Sequence, residues 1–258
     1  MFGDVVGEAG CECFCRTAPK LKREYNADVI VVNGENSAKG NGITPHSAEQ
    51  LFAGGADVIT TGNHCFRRKC DSLFEKPRIL RPANFPDGVP GTGICELDFG
   101  AYSLAVVNLM GTAFMEALDN PFSVIDRILL EIRSRCILLD FHAEATSEKR
   151  AMGWYLSGKV SAVIGTHTHV QTADEEILDG RTGYLTDVGM VGGERSVLGV
   201  RPELAIKKQR FKCPVQFEEA EAPCMVNAVY LEIDRKSGIC YKIERIFMRD
   251  STNYSRTT

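Results

Sequence analysis

Short apolar, β-branched runs recur along this chain, and several break off into polar groups able to hold a metal ion. Val29-Ile-Val-Val leads into Asn33-Gly34-Glu35-Asn36, and Val58-Ile-Thr-Thr into Gly62-Asn63-His64. Ile137-Leu-Leu leads into Asp140-Phe141-His142, and Ala162-Val-Ile into Thr166-His167-Thr168-His169. Runs of this length and composition read as strands. Near the start the pattern predicts strands at Met1–Asp4, Val29–Asn33 and Val58–Thr61, alternating with helices at Cys11–Tyr25, Pro45–Phe52 and Arg67–Phe74. Strands alternating with helices build a parallel sheet. Thr44 is a competent N-cap, and Pro45 suits the first helical turn.

Further along, Pro77, Pro82, Pro86 and Pro90 alternate with Gly88, Gly91 and Gly93, marking a loop-rich insertion near 77–100 placed to help cap a site. Ile94–Phe99 and Tyr102–Leu109 read as a hairpin, Phe122–Arg135 as a helix and Ile137–Phe141 as a strand. Thr146 is placed to cap a helix reaching Tyr155, followed by a strand at Val160–Gly165. After Pro214 the pattern predicts strands at Val215–Phe217, Met225–Ile233 and Ile239–Met248, the last two forming a hairpin around Asp234–Gly238. Together these elements predict an α/β fold: two packed sheets with helices outside, in one domain over 1–258.

Bulk properties narrow the field. At 258 residues the chain buries roughly 70–75% of its unfolded surface without needing staples. Apolar content of 44% and charged content of 25% are those of an ordinary globular protein. A net charge of −4 offers no basic field for nucleic acid. The apolar runs fall far short of the ~20 residues of a membrane span, and a cytoplasmic location is expected. The ten cysteines are scattered through strand and helix patterns and read as reduced thiols. Cys11, Cys13 and Cys15 read as small helix residues, because positions two apart on a helix point in different directions. Met1 stands only three residues before Asp4, too short a run for a comfortable first strand, which favours a natural chain longer than this numbering.

The polar strand ends carry the chemistry. Ligands of open α/β sheets bind at the carboxyl ends of the strands. Four of the five histidines fall in these segments. His46 lies on a helix outside them and reads as structural. Phosphate esters resist hydrolysis because the ester is anionic and its leaving oxygen is poor. Two divalent ions ~3.5–4 Å apart address both problems, by neutralising the phosphate and activating a hydroxide. Such a pair needs a bridging carboxylate, for which Glu35 is the best candidate, and terminal ligands, for which Asp4, Asn63, His142, His167 and His169 are available. Imidazole ligands suit iron, manganese or zinc better than magnesium or calcium. His167 and His169, two apart at a turn, can splay onto two ions. His64 follows Asn63 directly and is placed to act on substrate as a catalytic histidine.

At these residues the chain resembles the calcineurin-like metallophosphoesterases, and more narrowly the YmdB-like bacterial phosphodiesterases. The narrower likeness rests on Gly-Asp-Val-Val-Gly (3–7), Asn-Gly-Glu-Asn (33–36), Gly-Asn-His (62–64) and Arg-Pro-Ala-Asn-Phe-Pro (81–86). It also rests on the long blocks at 140–149 and 165–174 and on Thr-Asp-Val-Gly-Met (186–190). The resemblance implies an α/β/β/α sandwich of two mixed sheets. It implies one metal on Asp4, Glu35, Asn36 and His169, a second on Glu35, Asn63, His142 and His167, and catalysis by His64. It also implies hydrolysis of 2′,3′-cyclic nucleotides with iron or manganese. Departures from the family pattern at Cys65-Phe66-Arg67, Asn108–Phe114 and Val191–Val197 surround the ligands and bear on substrate preference.

Two other readings use the same residues. One is a regulatory protein that binds a nucleotide or partner with little turnover; the other is a phosphomonoesterase. Short RNA ends are conceivable substrates, and a homo-oligomer is the base-rate expectation.

Overall fold

A computed structural model describes residues 1–221 and 223–250. Its first half follows the alternation of the sequence: β1 (Phe2–Val5), α1 (Gly7–Glu24), β2 (Val31–Asn33), α2 (Pro45–Ala53) and β3 (Val58–Thr60). β4 (Ile94–Asp98) and β5 (Ser103–Met110) form the expected hairpin, followed by α3 (Pro121–Glu131), β6 (Cys136–His142), α4 (Thr146–Tyr155) and β7 (Ala162–Thr166). Then come β8 (Glu176–Leu178), β9 (Thr182–Leu185), β10 (Met190–Gly193) and α5 (Pro202–Phe211). β11 (Cys224–Ile233) and β12 (Cys240–Asp250) close the fold as an antiparallel hairpin.

The strands make two six-stranded mixed sheets, ordered β12-β11-β10-β1-β2-β3 and β4-β5-β6-β7-β9-β8. Three apolar clusters define four layers. Phe14, Leu21, Ala48 and Leu51 pack α1 and α2 on the outer face of the first sheet. Val124, Ile125, Ile128 and Met152 pack α3 and α4 on the outer face of the second. Between the sheets lie Val31, Val58, Val106, Leu138, Ile164 and Leu185. The period of two along a strand assigns the faces. In β6, Ile137, Leu139 and Phe141 face the helices, whereas Cys136 and Leu138 face the other sheet. Asp140 and His142 continue that inner row. The same alternation sends Asn33, Thr60 and Thr166 inward. The inter-sheet core therefore ends in a buried polar layer at the carboxyl edge of the parallel strands.

Several expectations change. Arg67–Phe74 is not an α-helix: turns follow His64, and a short 3-10 turn covers Asp71–Glu75. Cys70, Leu73 and Phe74 keep a helical spacing, but Cys70 offers no side-chain cap and Pro77 stops the helix from propagating. Val215–Phe217 forms no strand: the segment pairs with neither sheet, and Phe217 is exposed, so no apolar face holds it down. Thr146 is the first residue of α4 rather than its cap, a position held by Ala145 without a side-chain bond. Thr44 does cap α2, in a reciprocal pair with Ser47. β1 is short but wholly buried. All ten cysteines are free thiols, with Cys11, Cys13 and Cys15 on α1. No helix among the described residues is long and apolar enough to cross a membrane.

Candidate metal centre

Asn33 begins the site. Its side-chain carbonyl accepts from the Glu35 amide at 3.1 Å, folding the chain sharply after β2 and turning Glu35 into the centre. The His64 amide then donates to Glu35 Oε2 at 3.0 Å, so the loop after β3 is tied to the loop after β2. Glu35 Oε1 lies 3.2 Å from His142 Nε2 at the end of β6 and 3.3 Å from His64 Nδ1. His142 Nε2 is also 3.0 Å from Asn63 Oδ1 and 3.0 Å from His167 Nδ1. Asp4, in β1, faces His169 Nε2 at 3.6 Å. Both sheets thus deliver groups to one point. The sequence-predicted residues Asp4, Glu35, Asn36, Asn63, His64, His142, His167 and His169 all meet there.

His167 and His169 sit at φ 102° and 64°, the left-handed region that non-glycine residues rarely adopt. That conformation splays the two rings, one toward His142 and the other toward Asp4. Such strain persists only where neighbours enforce it. The His167 amide donates to Asp4 Oδ2 at 3.2 Å, and the Thr168 amide to Asp187 Oδ2 at 3.0 Å. Asp187 is itself fixed by the Lys149 ammonium at 2.6 Å, and both side chains are buried.

The outer partner of each imidazole decides which of its nitrogens carries hydrogen. His169 Nδ1 faces the Leu198 carbonyl at 3.0 Å, which can only accept. His167 Nε2 faces the Glu144 carboxylate at 2.9 Å. His142 Nδ1 lies 2.9 Å from Thr166 Oγ1, whose own hydrogen goes to Asp140 Oδ1 at 2.7 Å. In each ring the outer nitrogen therefore donates. The inner nitrogens, Nε2 of His142, Nδ1 of His167 and Nε2 of His169, are left to point their lone pairs at the centre in the neutral ring.

Charge at the centre is tightly coupled. Burial opposes ionisation of Asp4, but the adjacent His169 outweighs it and holds the carboxyl below its ordinary value. Burial likewise opposes Glu35, yet His142 and His64 hold it well below the usual carboxylate range. Burial would lower His169, and Asp4 carries it up to about 9 instead. His142 is raised in the same way, Glu35 outweighing burial. Burial, with His142, pushes His167 down. Asp140 is raised to about 6 by burial and lies beneath the centre, taking hydrogen bonds from Asn33, Thr60 and Thr166.

Divalent ions fit this set. One ligand atom from each of Glu35, His142 and His167 lies within 4.8 Å of the others. Asp4 Oδ1 is buried and has no hydrogen-bond partner among the described residues, a costly state for a carboxylate oxygen that a cation would relieve. Asn63 Oδ1 points into the centre. Asn36 has its amide nitrogen toward Glu35 and His169 and its oxygen toward His64, so ligation through oxygen needs the amide turned over.

Sequence reasoning named Asn33, Asn108 and Thr166 but not their supporting roles, and assigned none to Thr60, Glu144, Lys149 or Asp187. Asn108 joins the sheets, accepting from the Thr61 amide at 3.0 Å and donating to the Asp140 carbonyl. Polar residues at inward positions of apolar strands were the available signal. The site does not coincide with the open cavity of about 670 Å³ at the opposite ends of the strands, lined by Tyr25, Val29, Leu104, Tyr230 and Arg235 among others. That cavity contains none of the candidate ligands.

The four-layer arrangement, with its site at the shared strand edge, is the sandwich of the calcineurin-like metallophosphoesterases. More narrowly, the chain belongs to the YmdB-like family, whose model, described as YmdB-like protein, matches residues 1–246. It is 45% identical to the 2′,3′-cyclic-nucleotide 2′-phosphodiesterase of Bacillus subtilis, over 96% of each chain. A crystal structure of a Thermus thermophilus protein superposes with a TM-score of 0.92 at 37% identity, over 96% of this chain and 98% of that one. A phosphatase from Mycoplasma pneumoniae also gives 0.92, at 33% identity, over 100% of this chain and 95% of that one.

Proposed function

We propose that this chain is a dinuclear metal-dependent phosphodiesterase that hydrolyses small phosphodiesters, 2′,3′-cyclic nucleotides foremost. Its similarity to the Bacillus subtilis enzyme supports the substrate class. The observation that carries the reading is the convergence of three inward imidazole nitrogens, two buried carboxylates and Asn63 on one point beside His64. Asp4, Glu35, Asn36 and His169 would hold one ion; Glu35, Asn63, His142 and His167 would hold the other. Iron or manganese suits this mixed nitrogen and oxygen set, with zinc the next choice. When bound, the ions neutralise phosphate charge and acidify the attacking water.

The chain's own groups do the rest. Glu35, fixed by the His64 amide, keeps the two halves of the centre in register. His64 has Nδ1 turned inward, 3.3 Å from Glu35 Oε1, while its side chain stays 30% exposed. This leaves Nε2 for the substrate. A His64 cation donates its Nε2 proton to the leaving ribose oxygen as that P–O bond breaks and the bond to the water oxygen forms. Such general-acid help is worth roughly 10²–10⁴-fold.

The test is hydrolysis of 2′,3′-cyclic AMP by anaerobically purified, Mn²⁺-supplied protein, read as nucleoside monophosphate released. Metal-dependent product supports the reading. Absence of product from protein with two bound ions overturns it in favour of another ester or a binding role. His64→Ala is expected to keep both ions and lose about 10²-fold or more in kcat; normal turnover would remove the role given to His64.

A further inference from the structure

The three imidazoles have unlike outer partners. His142 is held by a hydroxyl and His169 by a peptide carbonyl, both neutral. His167 alone is held by a carboxylate, from Glu144 in the turn between β6 and α4. A carboxylate on the far nitrogen of a ligating imidazole fixes its tautomer and makes the near nitrogen a stronger donor.

The two halves of the centre also differ in charge. One half has Asp4 to itself and shares Glu35. The other shares Glu35 and is completed by Asn63, His142 and His167, all uncharged as ligands. It has no carboxylate of its own. Glu144 stands one imidazole ring outside that half, its Oε2 2.9 Å from His167 Nε2.

We propose that Glu144 is a positioning residue for the ion held by Glu35, Asn63, His142 and His167. It supplies through the His167 ring the negative charge that this half lacks. The inference rests on the dinuclear reading above. It sets the two sites on unequal footings: the site containing Asp4 is independent of Glu144, and the site containing His167 depends on it. The Glu144 side chain is 51% exposed, so its replacement leaves the core intact. His167 is already held in its strained turn from the other side, through its own amide and that of Thr168. Loss of Glu144 therefore frees the ring's tautomer without releasing the backbone.

The experiment is titration of metal-stripped protein with Mn²⁺, following free ion by electron paramagnetic resonance, for the unsubstituted chain, Glu144→Ala and Glu144→Gln. The unsubstituted chain is expected to bind two ions. Glu144→Ala is expected to keep one at unchanged affinity and to weaken the other roughly 10–100-fold. Glu144→Gln keeps a hydrogen-bond acceptor without the charge and should fall between. Circular dichroism of the stripped proteins checks the fold. Superimposable isotherms for all three chains would overturn the role of Glu144. Equal weakening of both sites would overturn the asymmetry. If the unsubstituted chain took up no Mn²⁺, the dinuclear reading itself would fail, a result distinct from either.

Discussion

A ligand residue here works only because something behind it has decided how it points. Gly62 shows how little space remains. A Cβ at this position would stand 2.2 Å from His142 Cδ2 and 2.3 Å from Nε2, with no room short of moving the ring. Gly62→Ala is therefore expected to turn His142 out of line and weaken metal binding roughly tenfold or more, the scale of a lost orienting contact. Chelator competition measures this, with circular dichroism showing a retained fold. Unchanged affinity would mean that His142 is not a ligand. At this scale the inward-facing groups were largely legible, since Asp, Glu, Asn and His clustered after apolar runs are uncommon enough to stand out. Their outer partners were not. Thr60 and Thr166 are ordinary strand residues until the two sheets face each other, and their bonds to Asp140 depend on a pairing of faces that no local pattern reveals. Glu144 carries no signal of its own beyond its place in the 140–149 block.

Elements matter through the turns they hold. α4 contributes Lys149, whose buried ammonium meets Asp187, and Asp187 in turn fixes the Thr168 and Gly189 amides. A single ion pair thus braces the turn carrying His167 and His169 against the chain leading into β10. Removing one partner leaves the other as a buried, uncompensated charge, at a cost of about 3–5 kcal/mol. Lys149→Met is expected to lower the melting temperature by roughly 6–20 °C. Adding Asp187→Asn should recover part of the loss, because the amide oxygen still accepts from the backbone and needs no counter-charge. A melting temperature within a degree of the unsubstituted chain would show that the pair does not brace the turn. The parallel βα units were readable because their periods are long and regular. β8, β9 and β10 were not, being three or four residues each, and Gly183, Gly192 and Gly193 blur any alternation. The expected strand at 215–217 had suitable residues, but three residues with an exposed Phe217 joined neither sheet, an outcome of tertiary packing rather than of local sequence.

In the whole molecule the two sheets share one centre. Asp4, Glu35, Asn36 and Asn63 come from strands of the first sheet, or loops after them, and His142, His167 and His169 from the second. Ions bound there stabilise the folded state by mass action, by about 2.7 kcal/mol at a hundredfold excess over Kd. Stripping the metal should lower the melting temperature by about 5–10 °C, and restored Mn²⁺ should reverse it. An equal melting temperature with and without bound ion would show that the ion does not favour the folded chain over the unfolded one.

The span of the ligands along the chain has its own consequence for how the protein reaches its active form. Asp4 and His169 lie at opposite ends of most of the sequence, and the polar layer pairs Asn33 with Asp140, 107 residues apart. Contacts that distant close late in folding, after the local helices and hairpins. The full ligand set forms only where both sheets meet, since neither sheet carries all of it. Ions bound as proposed would enter a nearly finished fold rather than template it, and their uptake during refolding would report its completion.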